Sequence, residues 1–280
     1  MPTFSSDGVD IYYQVAGEGY PLVLSHEFAG NIDSWEPQVN FFSRRYQVIT
    51  YCHRGYPPSG VPDDPNAYSQ DHQVEDLYRL LRRLDIGQAH IGGLSMGGTV
   101  TLGFAIAHPE MCRSLVVASA GAGSDADDRE QQLASWRALS ESMVAEGMEK
   151  FADKYARGLE RVQFLRKDPV GWAKFHAGFA GHSAQGSSLT FQGVQMKRPT
   201  IYQLQKELQQ IKIPTLVMIG DEDAPCVGPA IFMKKNIPSC GLAVFPQSGH
   251  TINLEEPELY NRTVSDFLTA VEAGKWVERG

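Results

Sequence analysis

The 280-residue sequence has few cysteines, no excess of basic residues and no long apolar run, and each absence excludes a class of protein. The net charge is −8 and the pI about 5.5, so a basic surface for nucleic acid is not expected. No stretch of about 18 apolar residues occurs, so no membrane-spanning segment is expected. The first residues carry neither a basic region nor an apolar core of a secretion signal.

The four cysteines are scattered along the chain and contain no C-x-x-C pair. They are Cys52, Cys112, Cys226 and Cys240. This spacing argues against a zinc site and against a disulfide framework. We therefore expect reduced thiols in a cytoplasmic protein. Hydrophobic residues make up 42% of the sequence, which is enough for a core of ordinary size, and the length favours a single body with an insertion.

The first 120 residues alternate short β-branched or aromatic runs with helical patterns. The predicted strands are 9–15, 22–24, 46–51, 89–94 and 115–117. One helix is predicted at 35–44, and another at the uncharged run 96–107. Between them, Ser69 is expected to cap a helix whose apolar stripe covers 74–84. Such an alternation is typical of βαβ units and a parallel sheet.

The alternation stops between about residues 121 and 205. The predicted elements of this stretch are helices at 128–147, 149–164 and 169–179, with a loop at 181–186. The alternation then resumes with strands at 214–219 and 242–245, a helix at 229–235, a last helix from Pro257 and a loose tail at 275–280. The sequence thus predicts an α/β fold: a doubly wound, mostly parallel sheet from residues 1–120 and 206–280, with a helical insertion at 121–205.

The strongest chemical signal is the run GLSMG at 93–97, a G-x-S-x-G motif between a predicted strand and a buried helix. Such a motif places a nucleophile, here Ser95, at the tip of a sharp strand-to-helix turn. The alternative is a glycine-rich turn with a solvent-facing serine, and the flanking elements argue against it. The run lacks the G-K-[ST] of a phosphate-binding loop, so a nucleotide is not expected.

A serine nucleophile needs a base, and His250 is the best-placed histidine. It follows the last predicted strand, and the carboxyl ends of parallel strands are where loops carry reactive groups. Other histidines fall within a strand or helix, at a helix end or in the insertion, where surface or packing roles are expected. They are His72, His90, His108, His176 and His182.

The base in turn needs a carboxylate that fixes its tautomer. Asp221, Glu222 and Asp223 follow the strand at 214–219, and we favour Asp223 because it lies deepest in the loop. The resulting order of nucleophile, acid and base along the chain agrees with this type of fold. A competitor is Asp125, which follows an earlier strand after a flexible stretch that would hold a carboxylate poorly.

A developing oxyanion needs backbone N–H donors. The N–H of Met96 lies at the start of the buried helix, where the helix dipole also favours negative charge. A second donor is expected from the loop at 25–31, which follows the strand at 22–24. The sequence therefore predicts a donor pair that spans two neighbouring loops.

These motifs resemble those of the α/β-hydrolases, within them the small esterase and lactonase group that includes 3-oxoadipate enol-lactonases and cofactor-free haloperoxidases. The resemblance covers about residues 4–120 and 205–272. It rests on HEFAGNIDSW (26–35), RGYPPS (54–59), GLSMGG (93–98), GDED (220–223) and SGHTINLEEP (248–257). It implies that Phe28 supplies the second oxyanion N–H and that the helical insertion forms a cap over the site.

Two positions depart from that family. Glu27 stands where the family usually has glycine, and we expect it to face outward because a carboxylate would repel an oxyanion. Contact with a polar or cationic substrate group is the alternative for Glu27. Cys52 stands where the family often has aspartate, and we expect a small buried residue and not a nucleophile. With serine at position 95, haloalkane dehalogenase and epoxide hydrolase chemistry is not expected.

The sequence predicts hydrolysis of a carboxylic ester or lactone through an acyl-enzyme on Ser95. Two alternatives stay open: a carbon–carbon bond hydrolase that acts on a β-diketone or ring-cleavage product, and a slow-turnover small-molecule receptor. We expect no cofactor and no metal, a small-molecule substrate, no nucleic acid and no membrane, and we leave a homodimer open. The residues expected to contact substrate, besides Glu27, are Trp136, Met143 and Trp172.

Overall fold

The computed structural model describes residues 2–124 and 129–278. The strands are Thr3–Ser6 (β1), Val9–Ala16 (β2), Tyr20–Ser25 (β3), Tyr46–Tyr51 (β4), Ala89–Leu94 (β5), Cys112–Ala118 (β6), Thr215–Gly220 (β7) and Cys240–Phe245 (β8). They form one sheet in the order β1-β2-β4-β3-β5-β6-β7-β8. β2 pairs antiparallel with β1 and β4, and every other pairing is parallel.

Helices cover both faces of this sheet. They are Glu36–Phe42 (α1), Gln70–Arg83 (α2), Met96–Ala107 (α3), Arg129–Glu146 (α4), Met148–Ala156 (α5), Val162–Lys167 (α6), Pro169–Ala180 (α7), Ala184–Thr190 (α8), Gln205–Leu208 (α9), Ala224–Asn236 (α10), Ile252–Glu255 (α11) and Pro257–Glu272 (α12). Apolar residues of α2, α3 and α10 pack on one face, and those of α1 and α12 pack on the other. The doubly wound, mostly parallel sheet that the sequence predicts is thereby confirmed.

The 3₁₀ turns and one π-helical stretch connect these elements. The 3₁₀ turns are Ile32–Trp35, Pro65–Ala67, Pro109–Met111, Leu159–Arg161 and Tyr202–Leu204, and the π-helical stretch is Phe191–Gln195. Residues 129–208, called here the helical segment, contain α4 to α9 and contribute no strand. No helix among residues 2–124 and 129–278 is both long and apolar enough to cross a membrane.

Three local predictions are wrong. The helix predicted at 149–164 is interrupted, because Gly158 adopts an extended conformation with ψ of 162° between α5 and the turn Leu159–Arg161. The loop predicted at 181–186 already begins α8, since the Ser183 hydroxyl accepts a hydrogen bond from the Gly186 N–H. The tail is anchored at Trp276, whose ring meets Phe267 edge-on at 4.7 Å.

The sheet brings the candidate residues to one edge. The chain leaves β3, β5, β6, β7 and β8 at the same end of the sheet because these strands run parallel. Ser95 directly follows β5, one of the two central strands, and His250 follows β8 at the side. The chain enters the helical segment after β6 and leaves it before β7, and Phe28 and Met96 at this edge pack in one apolar cluster with residues of that segment.

Candidate active site

Ser95 occupies a strained turn between β5 and α3. Its φ of +55° and ψ of −109° lie in a region that residues with a side chain rarely adopt, which costs on the order of 1–3 kcal/mol. The N–H of Ser95 donates to the Ala118 carbonyl at 2.8 Å and ties the turn to the end of β6. The residue keeps 8% of its surface exposed and lines a cavity.

Two glycines make this turn sterically feasible. A Cβ on Gly93 would overlap the backbone of Gly97, and a Cβ on Gly97 would overlap the carbonyl of Ser25. The end of β5 and the start of α3 are therefore in backbone contact with each other and with the end of β3. This close approach is the physical reason for the spacing of the G-x-S-x-G motif.

His250 and Asp223 form a buried hydrogen-bonded pair. Nδ1 of His250 lies 2.8 Å from Oδ2 of Asp223. Because a carboxylate only accepts, Nδ1 is the donor of this bond, and in the neutral imidazole Nε2 is then an acceptor. The side chains are 7% and 1% exposed, so water competes little for this bond. The loop is also held by its backbone, since the His250 N–H donates to the Glu160 carbonyl at 2.7 Å.

The third side chain in this cluster is Cys226, on α10. Its Sγ, a carboxylate oxygen of Asp223 and a ring nitrogen of His250 all lie within 4.8 Å of one another. In the described part of the chain, this is the one place where three side chains of metal-ligating types lie close enough together to hold an ion. Burial raises the pKa of the Cys226 thiol well above its usual value, and Nδ1 of His250 is already bonded to Asp223. The donor set therefore fits a hydrogen-bonded cluster better than a metal centre.

The predicted oxyanion donors flank the turn of Ser95. Met96 is the first residue of α3, so its N–H has no acceptor within the helix. The N–H of Phe28, in the loop after β3, has no hydrogen-bond acceptor among residues 2–124 and 129–278. Phe28 and Ser95 line the same cavity. Two such N–H groups, one at the start of α3 and one in the loop after β3, can together bind an anionic oxygen.

A cavity of about 280 Å³ is lined by the three residues of the predicted triad, Ser95, Asp223 and His250. Trp136 and Leu139 of α4, with Phe28 and Phe191, provide its apolar wall, and the polar wall comes mainly from the helical segment. The polar residues include Gln132, Lys154, Tyr155, Glu160, Arg161, Gln195 and Arg198. A second cleft of about 500 Å³, between the turn Ile32–Trp35 and α7, contains none of the triad residues.

Glu27 is not outward-facing, contrary to expectation. It is 2% exposed, and its Oε2 accepts a hydrogen bond from Nη2 of Arg161 at 2.6 Å. Oε2 also lies 3.8 Å from Nε2 of His250. Burial alone would lower the pKa of Arg161, but the Glu27 carboxylate reverses this and raises it. The cation that meets Glu27 thus belongs to the chain itself.

Of the three residues of the insertion that are predicted to line the pocket, one lies on the cavity wall and two do not. Trp136 lies on the cavity wall. Met143 is fully buried in the apolar cluster of the helical segment, and Trp172 lies in the same cluster, with its Nε1 donating to the Ala156 carbonyl at 2.8 Å. The expectation that Met143 and Trp172 line the pocket is therefore corrected, because both side chains face the interior of the helical layer. Asp125, the competing acid, lies outside the described residues.

Arg161 and Arg198 are two buried, charged residues of the cavity wall that the sequence did not indicate. Both are buried, at 4% and 8% exposure, although arginines are mostly exposed in proteins. No local motif surrounds them, and they reach the cavity only because the helical segment folds back over the sheet. A sequence pattern carries no signal for such a long-range contact.

Comparisons with known proteins agree with this architecture. The family model of the alpha/beta hydrolase fold matches residues 20–257. The 3-oxoadipate enol-lactonase 2 of Acinetobacter baylyi is 27% identical over 269 residues, which cover 95% of this chain and 96% of the relative. The putative 2-succinyl-6-hydroxy-2,4-cyclohexadiene-1-carboxylate synthase of Bacillus subtilis is 26% identical over 286 residues, with 95% and 97% covered.

A solved structure of a thermophilic esterase from Thermogutta terrifontis superposes with a TM-score of 0.85. It is 25% identical, and the match covers 96% of this chain and 97% of the esterase. The family match extends from β3 to the start of α12 and so includes the strand–serine–helix turn and the loops after β7 and β8. The sheet order and this match over most of the chain show that the protein belongs to the α/β-hydrolase fold family.

Proposed function

We propose that the protein hydrolyses carboxylic esters or lactones through an acyl-enzyme on Ser95. The observation that carries the proposal is that Ser95, on a strained turn, shares one cavity with His250, whose Nδ1 is held by Asp223. Relatives named enol-lactonase and esterase favour an ester or lactone as the bond cleaved.

In this mechanism Nε2 of His250 takes the hydroxyl proton of Ser95 while Oγ attacks the carbonyl carbon. Asp223 stabilises the imidazolium that forms. The N–H groups of Met96 and Phe28 donate to the oxyanion of the tetrahedral intermediate. When the intermediate collapses, the bond to the leaving oxygen breaks and that oxygen takes the proton from His250. Water then attacks the acyl-enzyme with His250 as base, which releases the acid and the free serine.

We also propose that residues 121–205 act as a cap on a core formed by 1–120 and 206–280. The apolar wall from Trp136, Leu139 and Phe191 suits a hydrocarbon part of the substrate. The cap then contributes walls of the pocket, and the core contributes the reacting groups. Substrate preference in this arrangement depends on the cap, whereas the chemical step depends on the loops after the strands.

Steady-state turnover of a compound panel tests the reaction class. The panel contains 4-nitrophenyl esters of two to eight carbons, five- and six-membered lactones and vinylogous β-diketones. We expect turnover of esters or lactones. Turnover of the diketones alone would favour carbon–carbon bond hydrolysis, and binding without turnover of any member would favour a receptor.

Covalent labelling tests the nucleophile. An organophosphonate should modify the protein once, at Ser95, as read by mass spectrometry. The variant Ser95→Ala should lose both labelling and activity and keep its circular dichroism spectrum. Ser119→Ala is the matched control, because Ser119 is a buried serine that follows the neighbouring strand β6. An adduct on Ser25 or Cys52 would refute the assignment.

A further inference from the structure

Arg198 places a buried positive charge on the wall of the cavity that contains Ser95. Its side chain is 8% exposed and borders the same space as Ser95 and His250. Taking a guanidinium out of water costs several kcal/mol unless an anion compensates it. A buried cation that faces a cavity therefore raises the question of which anion it meets.

The partners of Arg198 in the described part of the chain are neutral. Nη1 donates to the hydroxyl of Thr99 at 3.1 Å, and Nη2 donates to the carbonyl of Ala122 at 3.2 Å. Among residues 2–124 and 129–278, no carboxylate lies within ion-pair distance of it. Burial accordingly lowers the pKa of Arg198 to about 10. A guanidinium has five N–H donors, so donors remain for a ligand.

The other two cations of the cavity wall already have carboxylate partners. Arg161 pairs with Glu27 at 2.6 Å, and Lys154 pairs with Glu146 at 2.8 Å at the surface. The carboxylate of Asp223 is in turn bonded to His250. Among the lysines and arginines of this cavity wall, and within the described residues, the one without a carboxylate partner is thus Arg198.

The contact with Thr99 places this charge beside α3, near the turn that carries Ser95. Thr99 is one helical turn after Ser95 on α3, and its N–H bonds to the Ser95 carbonyl at 3.0 Å. Four residues of α-helix rise about 6 Å. An extended carbon chain covers that distance in about four or five bonds. A group bound by Arg198 would therefore be a short chain away from a carbonyl at Ser95.

We propose that Arg198 binds a carboxylate of the substrate, about four or five bonds from the carbonyl that Ser95 attacks. This inference rests on the proposed ester or lactone hydrolysis and specifies its substrate class: short esters or lactones that carry a free acid. Arg198 is then a specificity residue whose binding energy positions the scissile bond. The competing explanation is that Arg198 only braces Thr99 and Ala122.

A matched substrate pair separates these explanations. Mono-4-nitrophenyl glutarate carries the acid, and its methyl ester has nearly the same size and no charge. We expect wild-type protein to prefer the acid. Because a hydrogen bond to a charged group contributes roughly 1.5–3 kcal/mol, Arg198→Met should lower kcat/KM roughly 10- to 100-fold for the acid and much less for the methyl ester. Arg198→Lys should keep part of the preference.

Lys154→Met is the matched control, because Lys154 borders the same cavity but is paired with Glu146. It should leave the preference for the acid unchanged. An equal loss on both substrates in Arg198→Met would overturn the proposal in favour of a bracing role. A preference that survives in Arg198→Met would also overturn it, since the acid would then bind elsewhere.

Binding of glutarate to Ser95→Ala, measured by calorimetry, distinguishes this proposal from the hydrolase proposal. We expect saturable binding that Arg198→Met weakens at least tenfold. Ester turnover by wild-type protein without glutarate binding would refute the acid site alone. Glutarate binding without any ester turnover would refute hydrolysis and support the acid site.

The acidic run Asp125, Asp127 and Asp128 lies outside the described residues and precedes α4. The three aspartates are changed to asparagine in the Ser95→Ala background. The resulting variant should bind glutarate with the same affinity as Ser95→Ala alone. A tenfold or larger gain in affinity would overturn the proposal, because it would mean that a carboxylate of the chain already occupies Arg198.

Discussion

Nη2 of Arg161 and Oε2 of Glu27 meet at 2.6 Å across the boundary between the helical segment and the loop after β3. Both side chains are buried, at 4% and 2% exposure. The ring of Tyr155 lies 4.5 Å from the guanidinium and covers it on one side. The pair explains how a carboxylate can stand next to Phe28, the predicted oxyanion donor, since the positive charge of Arg161 compensates that of Glu27 before any substrate arrives.

Removal of one partner of this pair should destabilise the fold strongly. Arg161→Met leaves the Glu27 carboxylate buried without its cation, which typically costs about 3–5 kcal/mol of the free energy of unfolding. Urea denaturation measures this loss. The double variant Glu27→Gln with Arg161→Met should recover part of it, because the unpaired charge is gone.

The exposed pair of Lys154 and Glu146 provides the control for that experiment. Its side chains are 70% and 38% exposed, so Lys154→Met should change the free energy of unfolding by less than about 1 kcal/mol. Losses of similar size at both pairs would contradict the view that burial makes the pair of Arg161 and Glu27 important.

The acid of the proposed triad can be identified by two single substitutions. Asp223→Asn keeps the shape of the side chain but favours the wrong tautomer of His250, so kcat should fall roughly 10²- to 10⁴-fold. Asp125→Asn should cost little. Hydrolysis of 4-nitrophenyl acetate at pH 7 measures both. A large loss in Asp125→Asn with an active Asp223→Asn would move the acid to the loop after β6.

Mild acid should destabilise the fold through buried neutral histidines. Burial lowers the pKa of His182 to about 3 and that of His26 to about 4. The unfolded chain takes up these protons near pH 6.5 and the folded chain does not, so the free energy of unfolding falls as the pH drops below about 6.5. Nε2 of His26 also accepts the N–H of His53 at 3.1 Å, a bond that protonation would break.

His182 allows this effect to be isolated. Its ring contacts Tyr56 and Phe179 edge-on, and its ring nitrogens have no hydrogen-bond partner among residues 2–124 and 129–278. His182→Phe should therefore remove about 2 kcal/mol of the stability lost between pH 7 and pH 5. Urea denaturation at the two pH values tests this, with His72→Gln at the surface as control. An unchanged pH dependence in His182→Phe would count against it.

The four thiols should be unreactive in the native protein. All are buried, and burial raises the pKa of Cys52 to about 11 and those of Cys112 and Cys240 to about 12. Since the thiolate is the reactive form, Ellman's reagent at pH 8 should label far fewer than one thiol per native chain. Four should react in denaturant. Rapid labelling of native Cys52 would revive it as a competing nucleophile.

The sequence predicts the helices and strands whose residue pattern or capping residue matches their burial and position in the fold. The uncharged run after Ser95 forms α3, and Ser69 caps α2 by accepting the N–H of His72. Strand β1 was missed because Thr3–Ser6 is a short run with two serines, and its pairing with β2 comes from the register of the whole sheet. Trp276 was missed for a similar reason: its Nε1 donates to the Ser239 carbonyl, 37 residues away.

The residues of the candidate site also fall into two groups, those that local sequence patterns predict and those that depend on long-range contacts. Ser95, Asp223 and His250 each follow a strand, so a strand pattern alone was enough to bring them together. The sequence wrongly predicts an outward-facing Glu27 because its cation, Arg161, is 134 residues away and in the helical segment. Contacts between the helical segment and the sheet depend on how two layers dock, and no periodicity in either layer specifies that docking.

The His250 N–H donates a hydrogen bond to the Glu160 carbonyl. Hydrogen exchange at this one amide therefore reports on the contact between the helical segment and the sheet. His250 belongs to the loop after β8, but the acceptor of its amide belongs to the turn Leu159–Arg161. The His250 amide can exchange its hydrogen with solvent only when that turn separates from the loop. Its exchange rate, relative to amides within β5, therefore measures the free energy with which the helical segment is held against the sheet.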